Sequence, residues 1–88
     1  MSKTTERERL ATIDRLISSI EDERRKRGLS LNEVAARAGL SHTMVMRVEK
    51  RERMPTIDTL LRIAAALDVE LGALIQRASK VAKGTGKA

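Results

Sequence analysis

The stretch Arg27–Lys50, RGLSLNEVAARAGLSHTMVMRVEK, carries two short helical patterns parted only by Gly39, Leu40 and Ser41. Ser30 and Glu33 stand at capping-box spacing, where hydroxyl and carboxylate each satisfy a backbone N–H at a helix start. Leu29 and Val34 hold the matching staple positions, and Val34, Ala35 and Ala38 form the buried face. Gly39 suits the left-handed conformation that ends a helix. Ser41 can then cap the next helix, with Leu40 stapled onto Val45. That helix is predicted over His42–Arg51, pointing Val45, Val48 and Ser41 inward.

Outside this unit every apolar pattern also has a helical period, and none alternates like a strand. Leu10, Ile13, Leu16, Ile17 and Ile20 form one stripe, predicting a first helix over Glu6–Arg27 that stops at Gly28. Lys50 to Thr56 reads as a basic loop closed by Pro55. Thr56 caps a fourth helix, with Ile57, Leu60, Ala64 and Leu67 inward and Asp58 near its positive end. Leu71, Leu74, Ile75, Ala78 and Val81 mark a fifth. The closing KGTGKA is too polar and Gly-rich to pack. The expectation is one all-α domain over 1–83, with its core in 16–75, and a disordered basic tail over 84–88.

The chain has 88 residues, enough for a single marginally stable domain. It has no cysteine, so no disulfide staple, and a reducing compartment is expected. One histidine and no cysteine argue against a structural zinc site. No apolar run reaches the roughly 18 residues of a membrane span, and no signal-peptide pattern opens the chain. Phe, Trp and Tyr are absent, leaving the core to aliphatic side chains and Met. Net charge is +6, which favours an anionic partner. Residues 28–55 hold five basic and three acidic groups, residues 56–75 one and three, and residues 76–88 four and none. Basic zones therefore flank an acidic one.

Helix, tight glycine turn and helix together make a helix-turn-helix, whose second helix can enter a DNA major groove. Such pairs are common in helical proteins, so the outer face matters more than the arrangement. At about 100° per residue, Thr43, Arg47 and Lys50 share the face opposite Val45. Met46 flanks it on one side, Met44 and Arg51 on the other, and His42 sits in the exposed first turn. A hydroxyl, a guanidinium and an amine can read base edges or neutralise phosphate. The plain reading of His42 is an exposed polar residue, and that of Met44 and Met46 is edge packing.

Glu49 falls on the inward side of this helix, where a lone carboxylate would be costly. Arg24 continues the first helix's stripe four residues after Ile20. The two are expected to pair, tying the first helix to the third.

The run from Arg27 to Ile75 resembles DNA-binding domains of the phage Cro and repressor type, also called Xre-like. The resemblance covers roughly Leu16–Ile75. It rests on GLS…EVAARAGLS, on RVE at the end of the third helix, and on PTIDTLLRIAAAL in the fourth. It implies a compact five-helix, lambda-repressor-like domain with an extended first helix. It also implies an Arg24–Glu49 salt bridge and base reading by His42, Thr43 and Arg47. Ser41, Lys50, Arg51 and Arg53 would meet the DNA backbone. Family members act as homodimers on palindromic double-stranded sites. Four positions depart from the pattern, one of them Met44, which stands where a small polar residue is usual. Leu31 replaces a phosphate-holding Gln, Arg51 replaces a loop Gly, and Asp68 stands where Gly is common.

A sequence-specific transcriptional regulator in a bacterial or phage cytoplasm is therefore expected, with no cofactor, no metal and no membrane partner. An antitoxin that binds a toxin and represses its own operon, and a protein-interaction adaptor with a degenerate helix-turn-helix, remain open alternatives. No nucleophile–base pair, paired carboxylates or phosphate loop suggests an enzyme, and no catalytic residue is expected.

Overall fold

The computed structural model describes residues 4–85, and these form five helices with no strand among them. They are α1 (Glu6–Lys26), α2 (Leu31–Ala38), α3 (His42–Glu49), α4 (Ile57–Ala66) and α5 (Leu71–Thr85). No helix among the described residues is long and apolar enough to cross a membrane. Residues 86–88 of the expected tail lie outside the described region, while α5 continues through Thr85.

Each of the first four helices starts on a side-chain cap. Thr5, Ser30, Ser41 and Thr56 accept from the backbone N–H three residues on, at 3.0, 3.0, 3.1 and 3.0 Å. Glu8 and Glu33 complete capping boxes at Thr5 and Ser30. Thr59 is buried, and the Thr56 hydroxyl satisfies it by donating to its Oγ1 at 3.1 Å. The same helices stop in one way. Gly28, Gly39, Arg51 and Asp68 all take the left-handed conformation, with φ of 66°, 69°, 61° and 57°. Each is followed by a residue whose N–H reaches back five positions, closing the last turn.

The core is aliphatic throughout. Leu16 and Ile20 of α1 meet Val34 and Ala35 of α2, Val45 of α3, Leu60 and Ile63 of α4, and Leu71 and Leu74 of α5. Each fully buried Val, Leu or Ile contributes about 1.5–3 kcal/mol over an exposed one. α1 packs mainly along α5, whereas α2 packs on α3 and α4, and α3 also touches α1.

Four details differ from the expected pattern. α3 ends at Glu49, because Lys50 caps it and Arg51 turns left-handed. Ile57, expected inward, is 64% exposed, while Ile63 is buried. Ile57 is the first residue of α4 and lies beyond the core, on the rim of a groove shared with Ile13, Met54, Pro55 and Ile75. Val81 is 43% exposed, and Ala82 takes the buried place in α5. Spacings of three and four are both helical, so the stripe drifts by a residue at a helix end. Ser41 is exposed as well, because its hydroxyl serves the backbone of α3 rather than the core.

Candidate nucleic-acid interface

Val45 and Val48 bury one side of α3 completely, which forces its other side into solvent. Thr43, Arg47 and Lys50 are exposed on that side, and Met44 and Met46 flank them half-buried. Arg53 is exposed in the loop that follows. Among the described residues, the side chains of Thr43, Arg47, Lys50 and Arg53 have no hydrogen-bond or ion-pair partner. This surface therefore presents long cationic groups with unused donors. Solvated donors of that kind can be redirected to phosphate or base edges without breaking a protein contact.

The first turn of α3 is held from two directions. Ser41 accepts from Met44 N–H, and His42 Nδ1 lies 2.7 Å from Asn32 Oδ1 of α2. That contact ties the turn's exposed end to the preceding helix and limits how His42 can present its other ring nitrogen. Asn32 carried no sequence signal, since no local rule links residues ten apart. Beside it, Leu31 lines a shallow depression of about 210 Å³ with Glu21, Arg25, Met46 and Lys50.

The inward side of α3 is fastened by an ion pair. Arg24 Nε and Nη2 donate to the two Glu49 oxygens at 2.7 and 3.0 Å. Arg24 Nη1 donates to Leu29 O at 2.9 Å, so one guanidinium joins α1, the α1–α2 turn and α3. The Arg24 and Glu49 side chains are only 13% and 9% exposed. The Glu49 carboxylate holds the Arg24 pKa above its ordinary value. No buried side-chain N or O among the described residues lacks a partner.

Arg62 of α4 secures the turn between α2 and α3. It pairs with Asp58 at 2.9 Å and donates to Ala38 O at 3.4 Å. A Cβ on Gly39 would sit 3.1 Å from Arg62 Nη1, and its left-handed φ disfavours a side chain in any case.

The structure thus brings His42, Thr43, Arg47 and Lys50 onto one exposed surface, with Ser41 at its edge and Arg53 beyond it. It turns Arg51 elsewhere. The Arg51 guanidinium faces α1, donating to Asp14 Oδ1 at 3.0 Å, Asp14 O at 3.1 Å and Ser18 Oγ at 2.7 Å. Asp14 and Ser18 belong to the site's support and were not visible in the sequence, being more than thirty residues away. No group of three or more His, Cys, Asp or Glu among the described residues could hold a metal.

A helix-turn-helix family model matches residues 20–74, which span the start of the Arg24 anchor through most of the core. The chain is 35% identical over 60 residues to the HTH-type transcriptional regulator SutR of Escherichia coli (strain K12). That match covers 68% of this chain and 34% of SutR, so the chain spans about a third of that relative. It is 37% identical over 62 residues to y4dJ of Sinorhizobium fredii (strain NBRC 101917 / NGR234), which is named as an HTH-type transcriptional regulator. Here 70% of this chain and 80% of the relative are covered.

Proposed function

This chain belongs to the helix-turn-helix family, and from that premise we propose that it is a DNA-binding transcriptional regulator reading double-stranded DNA with α3 in the major groove. The observation that carries the reading is the unpaired outer face of α3 and its loop. Thr43, Arg47, Lys50 and Arg53 have free donors there, on a helix whose other side is locked by Val45, Val48 and the Arg24–Glu49 pair. Both relatives are named as transcriptional regulators, which supports the regulatory role.

In this reading His42, Thr43 and Arg47 touch base edges. Arg47 is the residue best suited to a guanine, which offers two acceptors to a guanidinium. Ser41, Lys50 and Arg53 meet the sugar-phosphate backbone. The protein acts as a homodimer on a palindromic operator in a bacterial or phage cytoplasm, and it is a binding protein rather than an enzyme. Two-fold symmetry would double the reading surface and the number of phosphates met.

Selection of bound fragments from random duplexes, followed by titration of the preferred and a scrambled duplex at several salt concentrations, tests the proposal. A preferred sequence with two-fold symmetry and an affinity that falls steeply with salt is expected. Binding that ignores both sequence and salt would overturn it.

A further inference from the structure

Arg51 is a basic residue in a basic loop, yet its side chain is committed away from the reading face. Four of its five guanidinium N–H groups have acceptors on the protein: Asp14 Oδ1, Asp14 O, Ser18 Oγ and Glu49 O. Its backbone is equally specific. Arg51 takes φ 61°, in a helix-ending turn of the kind that α1 and α2 build with Gly28 and Gly39. A left-handed arginine is uncommon, and such a conformation persists where the surroundings hold it. Here those surroundings are the first helix. The Arg51 N–H reaches Val48 O at 3.1 Å and the Glu52 N–H reaches Arg47 O at 2.8 Å, so the turn also closes on the reading helix itself.

We infer that Arg51 is a positioning residue, fastening the loop of Lys50 and Arg53 to the solvent-facing side of α1 rather than gripping phosphate. The inference rests on the DNA-binding reading for its consequence, but the clamp exists without DNA. Arg24 fixes the inward side of the end of α3, and Arg51 fixes the start of the loop, so both residues tie the reading unit to α1. Lys50 lies between them and inherits its direction from both. An exposed ion pair alone contributes little to stability. A forked set of bonds that also selects a backbone conformation acts instead on geometry, and geometry is what two adjacent phosphate-binding groups require.

Two variants separate the roles. Arg51→Gly keeps the left-handed turn at no strain and deletes the clamp. Asp14→Ala leaves Arg51 in place and removes a negative charge, which by charge alone should tighten DNA binding. Positioning instead predicts that both variants weaken the preferred duplex by about threefold to tenfold, at temperatures well below melting, with an unchanged salt slope. The double variant should be no weaker than Arg51→Gly alone, because the Asp14 carboxylate acts only through that clamp. A salt slope that drops by about one unit in Arg51→Gly would make Arg51 a phosphate ligand, and tighter binding by Asp14→Ala would show that the clamp positions nothing; either result overturns the inference. Amide exchange supplies a readout that needs no DNA. The Glu52 N–H should exchange faster in an Asp14→Ala/Ser18→Ala variant, which removes both side-chain acceptors on α1, than in the wild type, and equal rates would overturn the inference. If the wild type shows no salt-dependent binding at all, the regulator reading fails, while the exchange result still decides the clamp.

Discussion

The two sides of α3 treat arginine in opposite ways. On the inward side, Arg24 arrives from α1 with bonds to both Glu49 oxygens and to Leu29 O, and is largely shielded from water. On the outward side, Arg47 stands exposed and bonded to nothing among the described residues. The same guanidinium chemistry therefore serves as a tie in one place and as an available hand in the other. Burial makes the difference. A charge removed from water needs its partner to be present permanently, whereas a solvated charge can exchange water for a ligand.

The largest effect should come from breaking the tie. Glu49→Ala strands the Arg24 charge at a cost of about 3 kcal/mol, which lowers melting by about 12 °C or more in a domain this size. Glu6→Ala, on the exposed start of α1, is the control. A melting shift no greater than the control's would mean that Arg24 is as well solvated as Arg47, and the contrast would collapse.

Arg47→Ala should do the reverse. Stability should stay within about 0.5 kcal/mol of the wild type, while binding to the preferred duplex weakens by about 1–3 kcal/mol and one base position loses its preference. Equal weakening on preferred and scrambled duplexes would reassign Arg47 to the phosphate backbone. Lys50→Ala should weaken all duplexes alike and reduce the salt slope by about 0.9 for each phosphate no longer neutralised.

The smallest effect distinguishes tied from untied groups by acid. The Glu33 carboxyl is held below the usual carboxylate range by the Ser30 backbone N–H and then by its hydroxyl. Because the folded pKa is the lower one, this contribution is complete above the unfolded value of about 4.3 and fades as pH falls through the folded value. Glu33→Gln keeps a capping group but loses the ionic part of the contribution, so stability near neutrality should fall only slightly. Chemical denaturation between neutral pH and about pH 3 should then show a shallower acid-side loss than in the wild type. An identical slope would show that the box adds nothing pH-dependent.

The parts of this molecule that were legible in sequence are those fixed by near neighbours. Ser30 with Glu33, Gly39, and Ser41 lie within a few residues of the backbone groups they satisfy, so the limits of α2 and the start of α3 could be read directly. The Arg24–Glu49 pair could be reasoned from two helical faces, because an inward carboxylate demands a cation. The end of α3 could not be read. Arg51 turns left-handed with the support of Asp14 and Ser18, and nothing local announces that. Ile57 and Val81 were misplaced for other reasons. Ile57, at the very start of α4, lies beyond the core, while in α5 the buried stripe drifts by one residue, from Val81 to Ala82. His42 was visible as an exposed residue of the first turn, but its bond to Asn32 depends on how α2 and α3 cross.

The long pairing of α1 with α5 also bears on when this protein becomes itself. α2, α3 and α4 can find one another as soon as they exist, since they are neighbours in the chain. α1 is made first, yet the face carrying Leu16 and Ile20 is completed by Leu71 and Leu74, and closing that intervening loop carries an entropic penalty. On the ribosome the first helix must therefore wait, partly uncovered, until the last has emerged. A side-chain truncation on α5 such as Leu74→Ala should then leave the refolding rate nearly unchanged and act by hastening unfolding, which stopped-flow mixing can resolve. A refolding rate that falls in step with the diminished stability would instead place the meeting of first and last helix at the very barrier to folding.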